Sequence, residues 1–319
     1  MKGQFIGLDV GGTKIASATL QDGRLTPGET VKTDVSDSDA LVGQLVSLIE
    51  HARSDATIAV GIGLPSIIEF ATGRIRHSVN IPLGDLPLRQ LLTDRVGIPV
   101  YVENDASCAA LAEAFDEEGN LVCPDLVMFT VGTGVGGGLV LGGRLYRGTT
   151  SAAELGHTVI GLDLEHGAPV PEGRHPLPGT LEYLAAGRAL DRLAEREARD
   201  EEDSFLGRRL AADGEVTGHD VVDGANAGDA DALRVLDVLG QRLGVGIANA
   251  INTFDPHEVV IGGGVSTAGN LLLVPARETA RRYTVPGVGR RTTIRLARHG
   301  VRAGVLGAAM VAAQEEEKG

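Results

Sequence analysis

Tyr101-Val102-Glu103-Asn104-Asp105, running into Ala106-Ser107-Cys108-Ala109-Ala110-Leu111-Ala112-Glu113, is the stretch on which the reading of this chain turns. Pro99 to Val102 is a short β-branched and aromatic run, and Ala106 to Ala114 is rich in strong helix formers. A strand is therefore expected to pass directly into a helix. Asn104 and Asp105 fall at the junction, where a short polar side chain can cap the free N–H groups of the first helical turn. The carboxyl end of a strand is also where α/β folds place their ligands. Either residue could be a cap and nothing more. The residues that accompany them elsewhere decide the matter.

Upstream, Gln4 to Val10 is an apolar strand, Gly11-Gly12-Thr13 a turn, and Lys14 to Leu20 an alternating second strand closed by a hairpin turn at Asp22-Gly23. A helix is expected from Ser38, because Leu41, Leu45, Leu48 and Ala52 share one face. Thr57 to Gly63 reads as a buried strand. Pro65 to Leu88 reads as loop with a short strand near Arg74–Ile75, and Leu88 to Thr93 as a short helix. Asp116-Glu117-Glu118-Gly119 is the expected domain boundary, giving a small α/β domain over 1–118 and a larger one over 119–302. The C-terminal helix, about 303–319, is expected to pack back on the first.

Downstream, Asp125 to Val131, the glycines from Gly132 to Gly137, Gly138 to Leu141 and the hairpin at Gly142-Gly143 repeat the opening plan of the chain in miniature. This reads as a weak internal duplication, two halves of similar plan facing a cleft. Gly161 to Gly179 has no period. Leu181–Arg199, Val216–Ala227, Asp229–Phe254, Asn270–Tyr283 and Gly304–Ala313 are expected helices, and His257–Ile261 and Thr292–Leu296 expected strands. Asp255-Pro256 stops the longest helix. Glu315–Gly319 reads as a frayed tail.

Composition bounds the function. The 319 residues suffice for about two domains. Aromatics are 3% and tryptophan is absent, so the core must be Val, Leu, Ile and Ala, which suits layered strands and helices. A net charge of −14 argues against a nucleic-acid or anionic-membrane surface. Cys108 and Cys123 lie in or beside apolar segments and read as buried free thiols, consistent with a cytoplasmic setting. No signal peptide and no membrane-length apolar run is visible.

Three glycine clusters each follow a strand: Asp9-Val10-Gly11-Gly12-Thr13-Lys14, Gly132-Thr133-Gly134-Val135-Gly136-Gly137-Gly138 and Gly262-Gly263-Gly264. Consecutive glycines let backbone N–H groups point into one concavity, a nest for phosphate oxygens, though each cluster could equally be a tight turn. No Lys-Ser or Lys-Thr closes the second cluster, so it is not a P-loop. A dinucleotide fingerprint needs glycines that open a helix, whereas these lead into strands. A second set is polar: Asn80, Glu154 with His157 three residues on, and Glu182. Carboxylate, amide and imidazole groups can each bond neighbouring hydroxyls, as a sugar site requires. Singly, each also fits a surface charge, a structural histidine or a first-turn helix acid.

Taken together and in this order, Asp9–Lys14, Val102–Asp105, Val131–Gly138 running into Arg147–Gly148, Glu154–His157, Leu181–Glu182 through Gly187–Leu190, and Gly244–Gly264 resemble the ROK family of sugar kinases and repressors. That family lies within the actin and hexokinase superfamily, and bacterial glucokinases are the members it most resembles. The resemblance implies an α/β, two-domain actin/hexokinase-like (ribonuclease H-like) fold with a cleft between the domains, and an ATP-dependent hexose kinase. It implies Asp105 as general base, with Asn80, Asn104, Glu154, His157 and Glu182 on the sugar. It places Asp9, Gly11, Gly12, Thr13, Lys14, Gly132, Thr133 and Gly134 at the ATP phosphates and Gly262, Gly263 and Gly264 near the adenosine. Mg²⁺ would be reached through water from Asp9. Glucose is the expected sugar. N-acetylmannosamine, N-acetylglucosamine or fructose, or polyphosphate as donor, are the alternatives, and a homodimer is suggested.

Two other classes are weighed. A repressor of this family carries a helix-turn-helix ahead of the first phosphate motif, which the early position of Asp9 and the acidic balance do not favour. A non-catalytic sugar sensor would have no need of Asp105. The chain also departs from the family pattern. The Cys-x-Cys-Gly-x-x-Gly-Cys zinc motif expected between His157 and Glu182 is missing, and Thr180 stands where its last cysteine would be. His157, His166 and His175 lack a fourth ligand, so no zinc is expected. Ser66 replaces a glycine, and a tryptophan after the Asn80 loop is absent.

Overall fold

The computed structural model describes residues 3–78 and 80–318. β1 (Gln4–Val10), β2 (Lys14–Gln21) and β3 (Arg24–Lys32) form an antiparallel meander. After α1 (Ser38–Ala52), β4 (Thr57–Leu64) adds parallel to β1. The hairpin of β5 (Ser66–Glu69) and β6 (Arg74–Ser78) stands apart from that sheet. α2 (Leu88–Val96) then leads into β7 (Val100–Asn104), parallel to β4, and into α3 (Asp105–Glu113). The strand order is β3-β2-β1-β4-β7.

The plan then recurs. β8 (Leu126–Val131), β9 (Val135–Leu141) and β10 (Arg144–Leu145) are followed by five helices: α4 (Leu181–Ala185), α5 (Gly187–Asp200), α6 (Phe205–Asp213), α7 (Gly218–Asn226) and α8 (Ala230–Phe254). β11 (Glu258–Gly262), α9 (Asn270–Tyr283), β12 (Thr293–Leu296) and α10 (Ala303–Glu316) complete the chain. The second sheet runs β10-β9-β8-β11-β12, with β9 and β10 antiparallel and β11 and β12 parallel. Three strands in reverse chain order followed by two later ones is the order of both sheets, so the repeat read from glycine spacing is a repeat of topology.

By contacts the chain divides into two compact units: Met1–Met128, Gly138–Ala153 and Arg298–Gly319 in one, Phe129–Gly137 and Glu154–Ala297 in the other. In the first unit the α1 face meets the sheet as its periodicity requires: Leu41, Leu45 and Ile49 are fully buried with Ile6, Leu8, Val60, Ile62 and Val102. Asp37 caps α1 by accepting from the Ala40 N–H at 2.8 Å. α10 packs against β1 and β4. It comes so close that a side chain at Gly61 would run into the Ala308 backbone. Ala303 and Val305 to Ala313 are all buried, which is why α10 shows no amphipathic stripe. In the second unit α8 buries Val235, Leu239, Leu243, Ile247 and Ile251 and packs along α9. It stops at Asp255, which takes a left-handed conformation (φ 43°) before Pro256. Among the described residues no helix is long and apolar enough to cross a membrane.

Three local expectations are corrected and one helix is added. In the expected loop from Pro65 the short strand expected near Arg74–Ile75 is β6, and an unexpected β5 pairs with it, bridged by the Ser66 and Ser78 hydroxyls at 2.6 Å. The expected helix Leu181–Arg199 is two helices, broken where Ala186 is extended (ψ 172°). α6, which the sequence reading did not include, is capped by Ser204 accepting from the Gly207 N–H at 2.9 Å. The described part of the tail is helical to Glu316 instead of frayed, because Glu315 and Glu316 engage Arg147 and Tyr101. Gly319 lies outside the described residues.

Candidate functional site

In the first unit the site begins at the turn between β1 and β2. The Gly11 N–H donates to the Lys14 carbonyl at 2.9 Å. Thr33, just past β3 and buried, clamps the turn twice: its hydroxyl donates to the Gly11 carbonyl (2.6 Å) and its N–H to the Thr13 carbonyl (3.0 Å). Asn80 lies against the middle of the turn, where a Cβ on Gly12 would come within 2.9 Å of the Asn80 carbonyl oxygen. Thr13 and Lys14 are exposed.

Asp9 precedes the turn, and its carboxylate sits against Gly304, where any side chain would overlap it. Burial first, then the neighbouring charge of Asp105, pushes its pKa up to about 6, opposed by Lys14. Two carboxylates and a lysine thus act on one another across a glycine turn. Asp9, Gly11, Lys14 and Asp105 line one cavity of about 330 Å³.

The junction that opened the sequence reading resolves into two roles. Asn104 is the cap of α3: its Oδ1 accepts from the Ser107 N–H at 3.1 Å, and its amide nitrogen lies 3.4 Å from the Ser66 carbonyl. Asp105 is the first helical residue, and its Oδ1 accepts from the Ala106 N–H at 2.8 Å. Ser66 thus contributes a carbonyl toward Asn104 and a hydroxyl to the hairpin.

Behind the junction lies a charged layer that sequence reasoning missed. Glu103 is buried, accepts from the Asn104 N–H at 2.9 Å and binds Arg147 Nε at 2.5 Å. Arg147 stacks on Phe70, 3.5 Å from the ring centroid, and reaches Glu315 at 3.3 Å. Tyr101 donates to Glu316 at 2.8 Å, and burial followed by that bond pushes its phenol up to about 12. Strand alternation puts Glu103 on the face of Tyr101, opposite the core residues Val100 and Val102, so no local pattern marked it as buried.

In the second unit the corresponding turn joins β8 and β9. The Gly132 N–H donates to the Gly134 carbonyl at 2.9 Å, and the Gly132 carbonyl accepts from the Gly187 N–H at 2.7 Å. Glu182, in the first turn of α4, accepts from the Val135 N–H at 2.8 Å, and a side chain at Gly134 would collide with its carboxylate. Glu154 and His157 share one short helical turn. Their side-chain ends are 3.9 Å apart, both are exposed, and the intervening Gly156 is pressed on the Val135 carbonyl. Glu154, His157 and Glu182 are therefore gathered at the start of β9.

Thr180 is buried, donates to the Leu177 carbonyl at 2.7 Å and caps α4. With the Val159–Thr180 bridge it closes the ends of the 161–179 loop. His157 meets His175 edge-on at 5.1 Å. Among the described residues no group of three or more His, Cys, Asp or Glu is arranged to hold a metal ion.

Gly262 ends β11, and Gly263 (φ 85°) turns against the Val131 backbone into a short helix from Gly264. A cavity of about 580 Å³ in this unit is lined by Gly132, Thr133 and Gly264 together with Arg188, Asp191 and Thr217. The last three belong to or border α5 and α7. Charge alone did not mark them, because most charged residues on those helices are solvated.

The family model described as ROK family matches residues 5–315. A glucokinase of Halalkalibacterium halodurans is 37% identical over 328 residues, covering 99% of this chain and 97% of that protein. A ROK hexokinase structure from Thermus thermophilus superposes with a TM-score of 0.79 at 35% identity, covering 99% of this chain and all of that one. A ROK family glucokinase from Streptomyces griseus, solved with glucose and AMPPNP, superposes with a TM-score of 0.77 at 33% identity, covering 98% and 100%. A match over nearly the whole chain, on a fold whose two sheets carry the glycine turns and capped carboxylate described above, shows that this chain belongs to the ROK family.

Proposed function

We propose that this chain is an ATP-dependent glucokinase that transfers the γ-phosphoryl group to the 6-hydroxyl of glucose. One observation carries the reading: Asp9 and Asp105, brought to one cavity beside the glycine turn and Lys14. Phosphoryl transfer asks the protein for position and charge, not for a covalent partner. A turn of glycines supplies N–H donors, Lys14 a positive charge, and the two carboxylates two separable tasks.

Asp105 is the general base and takes the proton of the attacking hydroxyl. Its place on the first turn of α3, with Asn104 locked as the cap, fixes the direction in which it can accept. Asn80 and Asn104 are assigned to sugar hydroxyls in the first unit, and Glu154, His157 and Glu182 in the second. Gly11 to Lys14 and Gly132 to Gly134 are assigned to the phosphates. Gly262 to Gly264, with the cavity they border, are assigned to the adenosine.

The Asp9 carboxylate suits a hard divalent cation. It is buried beside a second carboxylate, and a positive charge offsets both the burial and the repulsion that raise its pKa. Asp9 would hold Mg²⁺ through water, and the ion, when bound, neutralises phosphate charge. Asp9 must be ionised for this, which it is above about pH 6.

A coupled assay across sugars and donors tests the reading. ATP with glucose is expected to turn over fastest, ahead of N-acetylglucosamine, N-acetylmannosamine and fructose, and ahead of polyphosphate as donor. Absence of turnover with every hexose would remove the kinase reading. A faster N-acetyl sugar or polyphosphate would replace glucose or ATP within it.

A further inference from the structure

A second cavity in the Phe129–Gly137 and Glu154–Ala297 unit shares no residue with those assigned above. Its volume is about 470 Å³, and its walls include Arg277 and Arg281 of α9, Arg290, and the turn Pro286–Gly289. The local sequence is unusual for this chain. Residues 277–298 hold seven arginines and one glutamate, within a protein whose net charge is −14.

Nearby arginines find acids: Arg295 binds Glu258 at 2.6 Å, and Arg282 lies 4.0 Å from Glu278. Those lining the cavity do not. Among the described residues Arg281 and Arg290 have no ion-pair or hydrogen-bond partner. Arg277 is held by one bond, from Nε to the Ile294 carbonyl at 2.7 Å, which fixes its guanidinium and leaves the terminal nitrogens unengaged. Helix-end arginines also suit the helix dipole, which accounts for Arg281 but not for Arg290, beyond the helix in the facing loop.

The opposite wall is built, not loose. Gly289 takes φ 64° and lies close on Ile251, and its N–H donates to Asp255 Oδ1 at 2.8 Å. The Val285 N–H donates to Asn252 Oδ1 (2.9 Å), and Asn252 Nδ2 donates to the Tyr283 carbonyl (3.0 Å). The Thr292 hydroxyl donates to the Pro256 carbonyl at 2.6 Å. The end of α8 thereby holds the loop that presents Arg290 across from α9. Three guanidinium groups around one cavity repel one another unless an anion joins them, and their planar forks match phosphate oxygens. The volume is that of a small-ligand pocket.

We infer that this cavity is a binding site for a phosphate dianion, free or as the ester of a small metabolite, separate from the residues assigned to turnover. The inference does not depend on the kinase reading. Calorimetric titration of the full chain with inorganic phosphate and with glycerol 3-phosphate, each against sodium chloride at matched ionic strength, tests it. At least one probe is expected to bind, and its affinity to fall at least tenfold in Arg281→Ala/Arg290→Ala. The melting temperature and basal sugar phosphorylation of that variant are expected to stay as in the parent. Whichever probe binds more tightly identifies the source of the anion. Binding no stronger than with chloride, or an isotherm that the double substitution leaves unchanged, would overturn the assignment.

Discussion

The turn at Gly11 and the turn at Gly132 are closed alike and charged differently. In both, the first glycine's N–H returns to a carbonyl a few residues on, and a polar residue from elsewhere in the chain presses on a glycine at the middle: Asn80 on Gly12, Glu182 on Gly134. The first turn is flanked by its own ions, Asp9 and Lys14, and faces Asp105. The second has no ionisable residue between Val131 and Val135. Its acid arrives from α4 and is spent on the Val135 N–H. One fold element used twice thus carries its own ions at the first turn and borrows its acid from a helix at the second.

Replacing the acid at each turn sharpens that contrast most. Asp9→Asn is expected to lower glucose phosphorylation on the order of 10²–10³-fold, and Glu182→Gln by roughly tenfold or less, read as kcat/KM. The same Asp9→Asn substitution is expected to stabilise the ligand-free protein. A buried carboxylate with a folded pKa of about 6 binds its proton more tightly than the unfolded chain does. It therefore opposes folding above pH 6, by about 3 kcal/mol, and that penalty fades as pH falls toward 4. Urea melts of the two proteins at pH 7.5 measure the difference. Equal losses of activity at the two turns would break the comparison.

Next in size is the pH response. Because Asp9 must be ionised to work, kcat/KM is expected to fall as pH drops through about 6, close to tenfold per unit below it. This loss of activity runs opposite to the gain in stability just described. An activity profile flat from pH 7 to 5 would separate Asp9 from turnover.

The sequence made this contrast partly legible. Strand, glycine turn and strand are strong local signals, and Asp9, Lys14 and Asp105 announce themselves by type and position. The clamp on the first turn was not legible. Thr33 reaches Gly11 only because β3 pairs with β2 in a register that no local pattern encodes. Of the β5–β6 hairpin only β6 was legible, because the four residues of β5 are too few for a period. The break at Ala186 was lost because its one mark in Leu181–Arg199 is the single Gly187, which a helix can tolerate. Glu103 and Arg147 are 44 residues apart, so their pairing is a product of the fold. Thr180 shows the converse: read in the sequence only as a departure from an expected cysteine, it becomes a helix cap once its neighbours are known.

The glycines themselves give a smaller effect. A methyl group at Gly12 meets the Asn80 backbone, which cannot step aside, so Gly12→Ala is expected to cost about 1–3 kcal/mol of stability in a thermal melt. At Gly134 the obstacle is the end of the Glu182 side chain, which can swing away. Gly134→Ala is expected to cost less than Gly12→Ala and to register mainly as a raised KM. Smallest is Thr33→Val, which removes the hydroxyl bond to the Gly11 carbonyl and is expected to cost about 1 kcal/mol in the same melt.

The assignment of chemistry to the first turn stands or falls on Asp105. In Asp105→Asn, followed by a coupled assay and by glucose-binding calorimetry on the same preparation, turnover is expected to drop roughly 10²–10⁴-fold while glucose affinity stays within a few-fold of the parent. Turnover that persists near the parental rate with glucose bound as before would contradict the account.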